Sequence, residues 1–309
     1  FTSSVLSDGN HTLKVRTRDA LGNYSGYGTH VVTIDTASPN PPTIFVNSPT
    51  NDDTPTWTWN IDSDTQEYEI LLNNELQPTQ SENSFTSPKL HDGAHELKVR
   101  GRDSNNNFSA YAISRVVVDT TGPTIPNPTT NTPTNNSEPT WSWTPISDAV
   151  EYEIYIDDVL QNSQSTSTYT SNTLAEGNHE IKVRAKDNVG NYSAFGFHNV
   201  LIDTIPPSIP EPITQTPTSD TTPTWNWPKI ADSIEYEVTL NGVFQKNTTS
   251  SQFTTNILNE GTHEIKVRAK DSVGNYSEYG THTIEIDISS PSIPVLSSLT
   301  PTNNKRPTW

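Results

Sequence analysis

The chain has 309 residues, with 36 acidic against 18 basic side chains, a net charge of −18, 24 prolines and no cysteine. The missing cysteines exclude disulfide stapling and thiol catalysis. The acidic surface argues against nucleic acid and anionic lipid as partners and leaves divalent cations open.

From its first residues the chain repeats itself. The stretch Gly177-Asn-His-Glu-Ile-Lys-Val-Arg-Ala-Lys-Asp-Asn-Val-Gly-Asn-Tyr-Ser193 has copies beginning at Gly9, Gly93 and Gly261, each 84 residues after the last. Trp57, Trp141, Trp225 and Trp309 keep the same step, as do Asp35, Asp119, Asp203 and Asp287. A fixed period of this length means an array of similar small domains, each long enough for its own core. Phe1 aligns with Phe85, Tyr169 and Phe253, so residues 1–36 match the C-terminal half of a repeat. Full repeats are expected at 37–120, 121–204 and 205–288, and the start of another at 289–309. The chain has the look of a window in a longer array.

The repeat 121–204 shows the elements in order. Trp141 and Trp143, two residues apart, share one face of a strand. Glu151-Tyr-Glu-Ile-Tyr-Ile156 alternates, with Tyr152, Ile154 and Ile156 inward. In the long strand that follows, His179, Ile181, Val183 and Ala185 point one way and Glu180, Lys182, Arg184 and Lys186 the other. Asp187-Asn-Val-Gly-Asn191 has turn chemistry, and Leu201-Ile-Asp-Thr-Ile-Pro-Pro207 ends the last strand in a Pro-rich connector. No segment keeps helical spacing for two turns. The Trp pairs 57/59, 141/143 and 225/227 are expected in the core. The outward basic residues are expected to face Glu151 and Glu153 in a charge ladder. Equivalent ladders set Glu67 and Glu69 against Lys98 and Arg100, and Glu235 and Glu237 against Lys266 and Arg268. Each repeat is predicted to be an independent antiparallel β-sandwich.

The order Thr-Trp-x-Trp, Glu-Tyr-Glu-Ile, then Leu-x-x-Gly-x-His-x-x-x-Val-Arg-x-x-Asp-x-x-Gly-Asn resembles fibronectin type III and bacterial Ig-like repeats over essentially the whole chain. The resemblance implies a Trp on the second strand, a Tyr on the third and a corner opening the sixth. That corner reads Leu174-Ala-Glu-Gly-Asn-His179 here, so His replaces the family's Tyr. Acidic, cysteine-free arrays with Asp-Thr-x-x-Pro connectors are similar to the stalks of large secreted bacterial adhesins. This implies an all-β, non-enzymatic, extracellular spacer of monomeric form, touching its neighbouring repeats and projecting a distal domain that binds surface glycan or protein. Two further readings are a glycan- or protein-binding module and an accessory segment of a secreted polysaccharide-degrading enzyme.

The histidines His11, His95, His179 and His263 each belong to a different repeat and read as corner residues bonded to backbone, not as metal ligands. Asn23, Asn107, Asn191 and Asn275 begin triplets that match N-glycosylation acceptors, a match that an Asn- and Ser-rich turn produces unaided. Three sets of aspartates recur: the linker set with Asp35, Asp119, Asp203 and Asp287; the loop set with Asp19, Asp103, Asp187 and Asp271; and Asp64, Asp148 and Asp232. In such a sandwich Asp119 is expected to approach Asp148 and Asp187, and Asp203 to approach Asp232 and Asp271. Interdomain calcium is one reading of these carboxylates; turn capping of backbone N–H groups is the other. With calcium, the cation extends and stiffens the array.

Overall fold

The computed structural model describes residues 1–295 and 305–306. Trp309 and most of the expected start at 289–309 lie outside them. Every regular element among the described residues is a β-strand.

Residues 1–36 contribute a hairpin of β1 (Gly9–Val15) and β2 (Gly28–Ile34). It has no facing sheet among the described residues, and Leu13 and Val15 are exposed. The next repeat holds β3 (Ile44–Phe45), β4 (Thr56–Trp59), β5 (Glu67–Leu72), β6 (Glu75–Leu76), β7 (Ser84–Thr86), β8 (Gly93–Arg102) and β9 (Ala112–Val118). These make a three-stranded sheet in the order β3-β4-β7 and a four-stranded sheet in the order β6-β5-β8-β9. The third repeat holds β10 (Thr140–Ser142), β11 (Glu151–Ile156), β12 (Val159–Gln164), β13 (Thr168–Thr170), β14 (Gly177–Lys186) and β15 (Gly196–Ile202). The fourth repeats this with β16 (Thr224–Asn226), β17 (Glu235–Leu240), β18 (Val243–Thr248), β19 (Gln252–Thr254), β20 (Gly261–Lys270) and β21 (Gly280–Ile286). In these two the first strand shrinks to single bridges, Thr129 with Ser142 and Ile213 with Asn226. The chain then crosses to the other sheet through parallel bridges of Thr134 to Ile202 and Thr218 to Ile286.

The expected inner faces are buried. Trp57, Trp141 and Trp225 are 0% exposed, and each second Trp meets the Tyr of the next strand edge-on, as in Trp143 on Tyr152 at 5.3 Å. Edge-to-face contact suits the ring quadrupoles and adds to the area that both rings bury. Tyr152 Oη accepts the Ile146 N–H (2.9 Å), so its buried hydroxyl has a partner.

The corner histidines bond to backbone as expected. His179 Nε2 lies 3.0 Å from the Ala175 carbonyl and His263 Nε2 2.9 Å from that of Asn259. The charge ladder forms, with a corrected register: Glu67 opposes Arg102 and Glu235 opposes Lys270, not Lys98 and Lys266. Alternation fixes which face a residue occupies but not which partner stands opposite. Lys98 instead bonds Asn74 and Glu96. Each central Arg sits in a cage: Arg184 bonds Glu153 and lies 4.0 Å over Tyr192 and 5.0 Å over Phe195. Arg268 holds Glu237 through two nitrogens at 3.0 and 2.8 Å. The fourth strand differs between repeats, two residues in β6 against six in β12 and β18. Pro78 stands where Asn162 and Lys246 continue the ladder, and proline has no N–H to give it.

Candidate functional site: the joints between repeats

Where one repeat hands over to the next, the last strand ends at a linker aspartate and the chain runs on through Thr and Pro. Both sides hold this linker. From behind, Asp92 accepts the Thr120 N–H (2.9 Å), the Thr120 hydroxyl (2.7 Å) and the Thr121 hydroxyl (2.5 Å). Glu176 does the same for Thr204, through its N–H (2.8 Å) and hydroxyl (2.9 Å). These acids, one residue before the corner glycine, were not singled out by the sequence; their 84-residue step was the available signal. In front, Pro126 passes so close to β15 that a Cβ on Gly196 would overlap its carbonyl oxygen, and Pro210 stands likewise on Gly280. Only glycine admits the connector there.

The loop of the following repeat reaches back. Asp187 Oδ1 accepts the N–H groups of Val189 (2.9 Å), Gly190 (2.7 Å) and Asn191 (2.8 Å). Asn191 Nδ2 donates to Asp187 Oδ2 (2.8 Å) and, across the joint, to the Asp119 carbonyl (2.8 Å). The next joint matches: Asn275 Nδ2 donates to Asp271 Oδ2 (2.8 Å) and to the Asp203 carbonyl (2.9 Å). At the first joint Asn107 Nδ2 donates to Asp103 Oδ2 (2.8 Å) and the Asp35 carbonyl (3.1 Å), while Asn105 Nδ2 bonds Asp35 Oδ2 (2.8 Å). Burial by itself would raise the pKa of Asp187, but the bonds from Asn191, Val189 and Gly190 outweigh it and hold the carboxyl below its ordinary value.

The expected carboxylate triads do not assemble. Among the described residues no three Asp, Glu, His or Cys side chains are placed to hold a metal ion. Asp103, Asp187 and Asp271 are 4–5% exposed and turned into their own loops. Asp119 and Asp203 meet the next repeat through their carbonyls, and their Oδ1 atoms accept the N–H groups of Thr121 (3.2 Å) and Ile205 (3.3 Å). Asp148 and Asp232 lie exposed in the turns before β11 and β17. What meets across each joint is an asparagine amide and a backbone carbonyl, joined at the first by Asn105 and the Asp35 carboxylate and not by the expected cluster of aspartates.

No known protein-family profile matches the chain. Exoglucanase B of Cellulomonas fimi is 27% identical over 290 residues, covering 84% of this chain and 26% of that protein. Chitinase Chi52 of Paenibacillus xylanexedens is 35% identical over 83 residues, covering 26% of this chain and 16% of that enzyme. The chain thus spans about a quarter and a sixth of these two relatives. Among solved structures, the fibronectin(III)-like modules of Clostridium thermocellum CbhA align at 17% identity over 52% of this chain and 94% of theirs, TM-score 0.35. The chicken CNTN1 FN1–FN3 domains align at 14% identity over 81% and 99%, TM-score 0.37. The full repeats are tandem antiparallel β-sandwiches that resemble fibronectin type III domains. The four-stranded sheet of each full repeat, the Trp on the second strand and the Tyr on the third follow the pattern expected from the sequence. They carry His at the corner where the resemblance leads one to expect Tyr.

Proposed function

We propose that this array is a non-catalytic accessory segment of a secreted polysaccharide-degrading enzyme, a semi-rigid spacer between working domains of a larger extracellular protein. The observation that carries the reading is the exoglucanase match, which runs through 290 residues of repeats yet occupies 26% of that protein. The chitinase match points the same way. This reading displaces the adhesin stalk, which asks the same mechanics of the repeats but has no comparable relative behind it. Matching residues at every 84-residue step serve packing, since a reaction centre has no need of several copies in register. Extending the gene sequence from both ends tests the proposal. A glycoside-hydrolase domain supports it, and a surface anchor with a lectin-like domain and no hydrolase overturns it.

One observation favours an added glycan-binding role for the repeat 121–204. Across its outer face Leu160, Tyr155, Lys182 and Phe197 stand in register on four strands. Phe197 is 64% exposed, and Phe195 packs edge-on against Tyr155 at 5.4 Å. Lys182 is paired with Asp158 and Glu180, and the exposed rings of Phe195 and Phe197 beside it suit the apolar face of a sugar. The fourth repeat has Thr239 and Thr281 at the aromatic positions. Retention of the chain on insoluble cellulose or chitin, reduced by Phe197→Thr, supports the role; a wild-type chain that passes both unretained overturns it.

A further inference from the structure

We propose that the joints of this array are closed by an asparagine side chain and not by a bound cation, with Asn107, Asn191 and Asn275 as the latches. The proposal is independent of which larger protein carries the array. A primary amide suits the task because its nitrogen carries two hydrogens that point in different directions. At Asn191 one hydrogen goes to Asp187 Oδ2 (2.8 Å), within its own repeat, and that bond sets the plane of the amide. The other then points at the Asp119 carbonyl (2.8 Å), the end of the preceding repeat. The same pair of bonds recurs at Asn275 and Asn107, to the Asp203 and Asp35 carbonyls (2.9 and 3.1 Å). Three joints with one geometry indicate a designed contact.

The acceptor explains why loop sequence alone hides the latch. The preceding repeat offers a backbone carbonyl, so its side chain has no part in this bond. Asp119 N–H is itself bonded to the Thr50 carbonyl (2.9 Å), which fixes the orientation of the strand end. The adjacent residue, Gly190, has φ +101° and is the kind of residue that lets the loop fold flat; a Cβ there would lie 3.5 Å from Asn51 Nδ2 of the preceding repeat. At the next joint Gly274 stands in the same relation to Asn135. The latch also excludes the other chemistry that the triplet suggests. A glycan on Asn191 would take one of its two amide hydrogens, so both bonds could not be kept, and the Ser193 hydroxyl is already engaged, accepting the Ala185 N–H (2.9 Å) and donating to the Ala194 carbonyl (2.8 Å).

Because the chain has no cysteine, spin labels can be placed at will on the full 309-residue protein. Ser81→Cys and Ser165→Cys mark the same exposed loop in adjacent repeats, and their distance distribution reads the joint. The expected result is one narrow distribution that is the same in calcium and in chelator. Asn191→Ala should widen it about twofold in both conditions, since free relative motion is what unlatched domains show. A second label pair within one repeat, Ser165→Cys with Thr173→Cys, should stay unchanged in Asn191→Ala, which separates a loosened joint from an unfolded domain. Asn191→Asp, nearly the same shape but with an acceptor facing the two oxygens, should widen the joint as much as alanine does. A wild-type distribution that widens on chelation overturns the proposal in favour of a cation. An Asn191→Ala joint as narrow as wild type overturns it in favour of the prolines and the Thr caps.

Discussion

The repeats 121–204 and 205–288 share strand bounds, core and joint, and differ at a few buried or half-buried positions. At the corner, His179 Nδ1 meets Asp157 Oδ2 (2.7 Å) in one, whereas His263 Nδ1 meets Asn241 Nδ2 (2.9 Å) in the other. In the core, Trp225 Nε1 donates to His282 Nδ1 (3.2 Å). Its counterparts Trp141 Nε1 and His198 Nδ1 are buried without a partner among the described residues. Both corner residues, Asp157 and Asn241, sit at positive φ in the turn between the third and fourth strands and cap the backbone of the sixth, at Glu180 and Glu264. An acid and an amide thus do the same structural work. The difference teaches that this fold tolerates a charge at its corner, and that the charge makes one repeat sensitive to pH.

The shared core is the place to try to break the likeness. Trp141→Ala and Trp225→Ala should each destabilise their own repeat by about 3–5 kcal/mol, the usual cost of emptying a buried aromatic site. Calorimetry of the full chain should resolve one shifted transition for each variant. Equal, near-zero shifts would mean that the tryptophans do not hold the core.

A smaller effect should separate the repeats. His282→Ala strips Trp225 of its acceptor and should cost about 1–2 kcal/mol more than His198→Ala, because a buried donor left unpaired carries its desolvation penalty. Hydrogen exchange of the two Trp strands, β10 and β16, measures the two costs side by side. Equal costs would show that the Trp225–His282 bond adds nothing.

The smallest effect is the corner charge. The bond from Asp157, with the Ala175 carbonyl assisting, raises the His179 pKa above 6.5, against the opposing effect of burial. Stabilisation from a raised histidine is complete below its unfolded value and fades as pH rises through the folded one. Asp157 is opposite in sign: burial raises it, but the bonds from His179 and the Glu180 N–H hold it below its usual 3.8. Its share is therefore lost as pH falls through that lowered value. The pair contributes fully between roughly pH 4 and 6.5. With the Asp157 side chain 49% exposed, solvent screening limits it to about 0.5–1 kcal/mol. Asp157→Asn should abolish the difference in urea midpoint between pH 5 and pH 8 for repeat 121–204, and Asn241→Asp should create one in its neighbour. Unchanged midpoints in both variants would show that the two corners are energetically alike.

Much of this was legible in the residues. The 84-residue step, the alternation of Tyr152, Ile154 and Ile156, and the spacing of Trp141 and Trp143 define strands and inner faces, because period-two burial is a local property of an extended chain. The corner His was legible for the same reason, as it lies four residues from its carbonyl. Ladder register was not, and Glu67 found Arg102 because strand pairing is set by turns and packing outside the strand itself. The joints were the least legible. Asn191 and the Asp119 carbonyl are 72 residues apart, and a backbone acceptor leaves no trace in side-chain identity. The sequence by itself determined the repeat, its strands and its core. Only the tertiary structure decided that the loop aspartates Asp103, Asp187 and Asp271 turn inward while the asparagine four residues on crosses to the preceding domain, since a hydrogen bond between domains depends on where both folded surfaces stand.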